Sequence, residues 1–215
     1  MLRKVSATLL AVGISMTSMG TFAHDAHDHG APLTDIERKA SEGVFDDQNV
    51  KDRQLSDWDG IWQSLNPWLL KGDLDPVLQQ KAKSGEKSVE EYRAYYKKGY
   101  ATDIDMIGIE KNVIEFHRGD KVSACHYDYA GFKILTYASG KKGVRYLFTC
   151  QDKNSQAPAY VQFSDHIIGP RKSQHFHIFF GNQSHEALLS EMDNWPTFYP
   201  WSLSKEQIVD EMLHH

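Results

Sequence analysis

From Asp103 onward the chain is a series of short runs of strand length separated by turn residues, and this pattern limits its folds more than any other feature. The runs cover residues 103–110, 112–118, 121–129, 132–138, 143–150, 159–168 and 174–181. Turn signals such as Arg118-Gly119-Asp120 and Ser139-Gly140-Lys141 part them. A further strand around Trp62 makes eight. Short sequential loops favour antiparallel neighbours, and eight such strands close into an up-and-down barrel. The expected class is mainly β with helices (α+β), built on an eight-stranded antiparallel barrel.

Helices are expected before, within and after this pattern. Thr34 and Glu37 form a capping box, and Gly43 ends that helix about two turns later. Leu55 to Ser64 reads as a turn leading into the Trp62 strand. Two inserted helices follow: Asp75 caps one, with Pro76 at its first position, and Ser88 with Glu91 boxes the next, which Gly99 stops. Tyr92, Tyr95 and Tyr96 share a stripe on the second, a pattern of packing against a sheet rather than of a ligand platform. A helix near 184–193, an aromatic connector over Trp195–Trp201 and a last helix opened by Ser204 complete the chain.

Met1-Leu-Arg3-Lys4, the apolar stretch Ala7–Met19 and the small residues around Ala23 have the form of a secretory signal peptide over residues 1–23. That stretch is too short and too rich in Ser and Thr for a membrane span. The expected product is a periplasmic, soluble protein that starts at His24, with a flexible His-rich segment over 24–32 and a single domain over 33–215. Without Arg3 and Lys4 the 24 basic residues become 22 against 29 acidic ones, a net charge of −7 with neutral histidines. No basic patch points to nucleic acid. A monomer without membrane insertion is expected.

The segment His166-Ile-Ile-Gly-Pro-Arg-Lys-Ser-Gln-His175-Phe-His177 carries the chemistry. Positions i and i+2 of a strand share a face, so His175 and His177 point the same way. A hairpin symmetric about Pro170-Arg171 sets His166 opposite His175 and diagonal to His177. Cβ separations in those relations are about 5 Å and 7–8 Å. Imidazoles reaching inward from there can share one ion at the usual Zn–N distance of about 2.0–2.1 Å. Three histidines with no fourth protein ligand nearby suit a zinc site with one open position.

Cys125 and Cys150 suit an oxidising compartment and pairing, with two buried thiols as the alternative and zinc ligation a more remote one. His24, His27 and His29, interleaved with Asp25 and Asp28, read either as a secondary metal-capturing arm or as a solvated tail. His117 and His126 read as surface or hydrogen-bonded strand positions. His185 stands at a helix start, while His214 and His215 suit a helix C-terminus.

Gly60-x-Trp62 resembles the mark of lipocalins and their calycin relatives. The chain as a whole resembles the ZinT (YodA) family of bacterial periplasmic zinc- and cadmium-binding proteins. The resemblance rests on Gly43-Val-Phe-Asp-Asp47, Leu55-Ser-Asp-Trp-Asp-Gly-Ile-Trp-Gln-Ser64, Gly99-Tyr-Ala-Thr-Asp-Ile104 and Lys133-Ile-Leu-Thr-Tyr137. It extends through Lys141-Lys-Gly-Val-Arg-Tyr146, Phe163-Ser-Asp-His-Ile-Ile168 and Asn194-Trp-Pro-Thr197. It implies a calycin-like barrel, zinc bound by His166, His175 and His177 inside one end of it, and a Cys125–Cys150 disulfide. It also implies capture of scarce zinc and assistance to the solute-binding protein of a zinc ABC importer.

Three readings of function follow. The first is metal binding and delivery without catalysis; three neutral imidazoles take Zn²⁺ and, less selectively, Cd²⁺, Ni²⁺ or Co²⁺. The second is a zinc-dependent hydrolase or hydratase using metal-bound water. The sequence holds no His-Glu-x-x-His helix or nucleophile motif for it, and Asp165 alternates to the other face from His166. The third is a carrier of a small apolar ligand. The first reading is the expectation.

Overall fold

The computed structural model describes residues 32–214. The signal-peptide reading of 1–23 and the three histidines His24, His27 and His29 lie outside the described residues. Eight strands form one closed barrel in sequential order: β1 Gly60–Ser64, β2 Met106–Glu110, β3 Val113–Arg118, β4 Lys121–Thr136, β5 Lys142–Cys150, β6 Tyr160–Ser164, β7 Phe176–Gly181 and β8 Thr197–Pro200. Every neighbouring pair is antiparallel, including β8 with β1, which closes the wall.

The strand count matches the expectation, but the membership differs. The runs 121–129 and 132–138 are one continuous strand, β4. Its register against β5 shifts between Tyr129 and Phe132, where three steps on β4 face two on β5. Gly131, at φ +95°, takes up that extra residue as a bulge, which bends the strand without ending it. The eighth strand comes instead from the aromatic connector. Thr197–Pro200 pairs Phe198 with both Ser64 and Phe176. Pro200 ends the strand, a place where a missing N–H is tolerated.

Alternation sorts the strand residues into an inner and an outer set. Trp62, Ile107, Ile109, Ile114, Phe116, Tyr146, Phe148, Val161, Phe163, Phe176, Ile178 and Phe198 fill the interior with Trp58, all at most 4 % exposed. Trp58 stacks on Phe163 with ring centroids 5.0 Å apart, and Trp62 meets Phe176 edge-on at 4.8 Å. The interior is a packed aromatic core rather than an apolar cup. A disulfide joins Cys125 on β4 to Cys150 on β5, with Cα atoms 5.8 Å apart.

Among the described residues, six α-helices decorate the barrel. The capping box at Thr34 opens α1, Asp35–Ser41, and that at Ser88 opens α4, Val89–Gly99. A short helix absent from the sequence reading, α2 Asn66–Lys71, carries Pro67 in its first turn and is capped by Gly72. In α3, Asp75–Ala82, Asp75 is the first helical residue rather than the cap, and its carboxylate pairs with Arg93 at 2.7 Å. The remaining helices are α5, His185–Leu189, and α6, Lys205–His214; Ser204 and Gln207 exchange side-chain hydrogen bonds at the start of α6.

The tyrosine stripe packs differently from the expectation. Leu65, Leu69, Leu74, Leu78, Tyr92, Tyr100, Tyr199, Leu203 and Ile208 form a second core between the helices and the outer face of β8. Tyr92 is buried there, whereas Tyr95 is half-exposed beside Trp195. Among the described residues no helix is long and apolar enough to cross a membrane.

Candidate metal centre

The ladder between β6 and β7 ends at Ser164 opposite His177. That register is the one that sets residue 166 against residue 175, as the hairpin symmetry predicts. The strands are shorter than expected, however, and neither His166 nor His175 lies in them. Residues 165–175 form an irregular loop in which His166 takes a left-handed conformation at φ +63°. A non-glycine residue there costs on the order of 1–2 kcal/mol, so the surrounding structure must impose it.

The three imidazoles still converge. Their ring centroids are 5.4, 5.7 and 5.9 Å apart in pairs, and one nitrogen from each lies within 4.8 Å of the others. His166 Nε2 and His177 Nε2 are 3.3 Å apart. Two nitrogens bound tetrahedrally to one zinc are separated by about 3.3–3.4 Å, given Zn–N bonds of about 2.0–2.1 Å. The donor set and this spacing fit a zinc ion with one position left to solvent or another ligand. Among the described residues no carboxylate or thiol joins these three in the group.

Partners behind the rings orient two of them. Thr197 Oγ1 donates to the Trp195 carbonyl at 3.1 Å and lies 2.7 Å from His177 Nδ1. With its proton committed, the hydroxyl accepts from Nδ1–H, which directs the Nε2 lone pair of His177 toward the cluster. Burial pushes the pKa of the nearby Tyr100 phenol well up. His175 stacks on Tyr199 at 5.0 Å with planes 9° apart. Trp195 closes edge-on over His177 at 5.6 Å. It can do so because Gly99 lacks a Cβ, which would meet the indole at 2.5 Å.

The resemblance implies ligands inside one end of the barrel; the structure corrects this. Phe176 and Ile178 point into the barrel core, so His177 between them points to the outer face. Tyr199 and Trp195, the aromatic neighbours of His175 and His177, belong to the outer, helix-covered core. The cluster therefore sits outside the wall, where the β6–β7 loop meets the edge of the helical layer. His166 is exposed and His175 is nearly buried. A cleft of about 470 Å³ runs from His166 and His177 past Phe45, Tyr95, Phe179 and Met192. A smaller cavity on the other side joins His166 and His175 to Leu33 and Glu37.

Asp165 turns the opposite way from His166, as the alternation predicts. Its Oδ1 accepts from Arg53 Nη1 at 2.7 Å, and both side chains are fully buried. Burial alone works against the Arg53 charge, but Asp165 and then Asp57 outweigh it and hold its pKa above the ordinary value. The other described histidines stand apart from the cluster. His117 lies 3.4 Å from Glu115, His185 contacts Thr149 and Gln162, and His214 bonds the Asp210 carbonyl. Arg53, Thr197, Trp195 and Tyr199 escaped the sequence reading. Arg53 sits in a polar run without motif, and the other three lie in the stretch read as a connector.

The molecule is thus an eight-stranded lipocalin-like barrel carrying a three-histidine cluster on its rim. Residues 36–215 match the family described as ZinT (YodA) periplasmic lipocalin-like zinc-recruitment, and the chain belongs to this family. It is 52 % identical over 174 residues to the zinc-binding lipoprotein AdcA of Streptococcus pneumoniae, covering 80 % of this chain and 35 % of AdcA. It is 47 % identical over 178 residues to the probable metal-binding protein YrpE of Bacillus subtilis, covering 82 % of this chain and 70 % of YrpE. The Zn(II)-bound crystal structure of the ZinT-like domain of S. pneumoniae AdcA superposes with a TM-score of 0.79 at 51 % identity, over 81 % of this chain and 97 % of that domain. The chain spans about a third of the length of AdcA.

Proposed function

We propose that this chain is an exported zinc-binding protein that captures Zn²⁺ through His166, His175 and His177. The observation that carries the reading is the convergence of three imidazole nitrogens within 4.8 Å, one pair already at the edge length of a tetrahedral site. It acts without catalysis: the carboxylate next to His166 in sequence, Asp165, is fully buried and engaged with Arg53. Its open coordination position is a point of exchange. The signal-like residues 1–23 take it to the periplasm, where it gathers scarce zinc and assists the solute-binding protein of a zinc ABC importer. Cd²⁺, Ni²⁺ and Co²⁺ are accepted less selectively, because imidazole suits all of them.

His24, His27 and His29 serve as a secondary ligand arm. Leu33 lines the cavity shared by His166 and His175, and His29 is four residues earlier. Four extended residues reach about 13–14 Å, enough to bring an imidazole to the open position. Competition titration with zinc tests the reading. One tight site per chain is expected, lost in the His166/His175/His177 triple alanine variant; a triple variant that binds as tightly as wild type overturns it. Zinc-dependent esterase and CO₂-hydration activity should stay at background.

A further inference from the structure

The loop that carries His166 and His175 is fastened to the segment before β1, and one side chain holds both of its limbs. Arg53 is fully buried and uses every face of its guanidinium. Nη1 donates to Asp165 beside His166 at 2.7 Å, Nη2 donates to the Arg171 carbonyl on the returning limb at 2.7 Å, and Nε donates to Asp57 at 2.9 Å. The guanidinium also lies 3.9 Å over the Trp58 ring, against the barrel core. Asp57 extends the clamp: its carboxylate accepts from Arg171 N at 3.3 Å and its carbonyl from Ser173 N at 2.8 Å. Ser173 in turn donates to the His175 carbonyl at 2.8 Å.

We infer that Arg53 is a positioning residue of the metal site, setting the left-handed turn at His166 and the approach of His175 through Asp165 and Arg171. The physical case is that a buried ion pair adds little net stability over well-packed apolar residues of the same volume, so its contribution is to conformation. A planar fork with five donors fixes three acceptors at once, which a lysine ammonium cannot reproduce. The loop gains no order from strand pairing, since the ladder stops at Ser164 and His177. Besides two backbone bonds, Lys51 N to the Ile168 carbonyl and Ser173 N to the Asp57 carbonyl, ligand geometry within it depends on these side-chain bonds.

This inference rests on the three-histidine reading, and its test separates the two. Arg53→Lys keeps the buried charge and one bond to Asp165 but loses the fork; an Arg53→Met/Asp165→Leu double variant removes both charges together. Zn²⁺ affinity is measured by competition and site geometry by the visible absorption of the Co²⁺-loaded protein, beside wild type and His177→Ala. Wild type should bind and His177→Ala should not. Arg53→Lys should bind zinc about tenfold more weakly and the double variant up to about a hundredfold, both with altered Co²⁺ bands. Folded Arg53→Lys with wild-type affinity, or with weaker binding but an unchanged Co²⁺ spectrum, overturns the positioning role alone. Failure of wild type to bind overturns both proposals. If the double variant does not fold, Arg53→Lys decides the matter by the same two readings.

Discussion

The two faces of β7 differ in what they ask of their residues. Phe176 and Ile178 face a core in which Trp62, Phe163 and Phe198 pack around Phe176 at centroid distances of 4.8–5.7 Å. His177 faces outward from β7, and His175, in the loop just before it, lies on the same side, each with its own supporting partner, Thr197 or Tyr199. The inner face is a matter of volume, where any loss leaves a cavity. The outer face is a matter of atom placement, where three imidazole nitrogens must converge to hold the proposed ion. One strand thus stabilises the fold with one parity and presents ligands with the other, and the two are open to separate attack.

The largest effect should come from the inner face. Phe176→Ala is expected to lower unfolding free energy by about 3–5 kcal/mol in a denaturant titration. Zinc affinity of the molecules that remain folded should change far less. His177→Ala should do the reverse: stability of the apo protein stays within about 1 kcal/mol, since one partly exposed hydrogen bond is lost. Zinc affinity should fall more than about a hundredfold, because structural zinc binding of about 10–16 kcal/mol is shared among some four ligands. If Phe176→Ala spares stability, or His177→Ala costs as much as Phe176→Ala, the division between faces fails.

Thr197→Val sharpens the comparison by leaving every ligand in place. It removes the acceptor for His177 Nδ1–H and is expected to weaken zinc binding by about 10–100-fold in competition titrations. Acid adds a further distinction. A metal-bound imidazole cannot hold a proton at the metal-binding nitrogen, so protons compete with zinc and affinity falls as pH is lowered. Equal affinity at pH 7 and pH 5 would contradict three-histidine ligation.

The smallest effect should come from His185, away from both faces of β7. Burial lowers its pKa, with Glu186 opposing weakly. The folded state then takes up this proton at lower pH than the unfolded chain. The stability His185 contributes is therefore full above the unfolded value of about 6.5 and is lost as pH falls through it. His185→Gln should flatten the pH dependence of apo stability slightly between pH 7 and 5, measured by thermal unfolding.

Much of this was legible along the chain because it depends on local pattern. Thr34 with Glu37 and Ser88 with Glu91 signal their helices by spacing alone, and both boxes are present. Alternation fixes which residues of β7 share a face, and the symmetry of the 166–177 segment anticipates its register. The long strand β4 and the closing strand β8 were hidden for opposite reasons. Ala130-Gly131 looks like a turn yet forms a bulge, since the pairing on both sides carries the strand through it. Thr197–Pro200 looks like a connector because Pro196 and Pro200 bound a four-residue strand, and only its partners β1 and β7 give it ladder bonds.

The sequence by itself determined the barrel class and the family, which rest on patterns repeated along the chain, and the identity of the three convergent histidines, which rests on spacing within one stretch. Only the tertiary structure decided that the cluster lies outside the barrel wall, that Thr197 and Tyr199 stand behind two of its histidines, and that Arg53 clamps the loop carrying His166 and His175. Arg53 and Asp165 are separated by 112 positions. No periodicity links residues so far apart, because such contacts depend on barrel closure and side-chain packing rather than on local backbone preference.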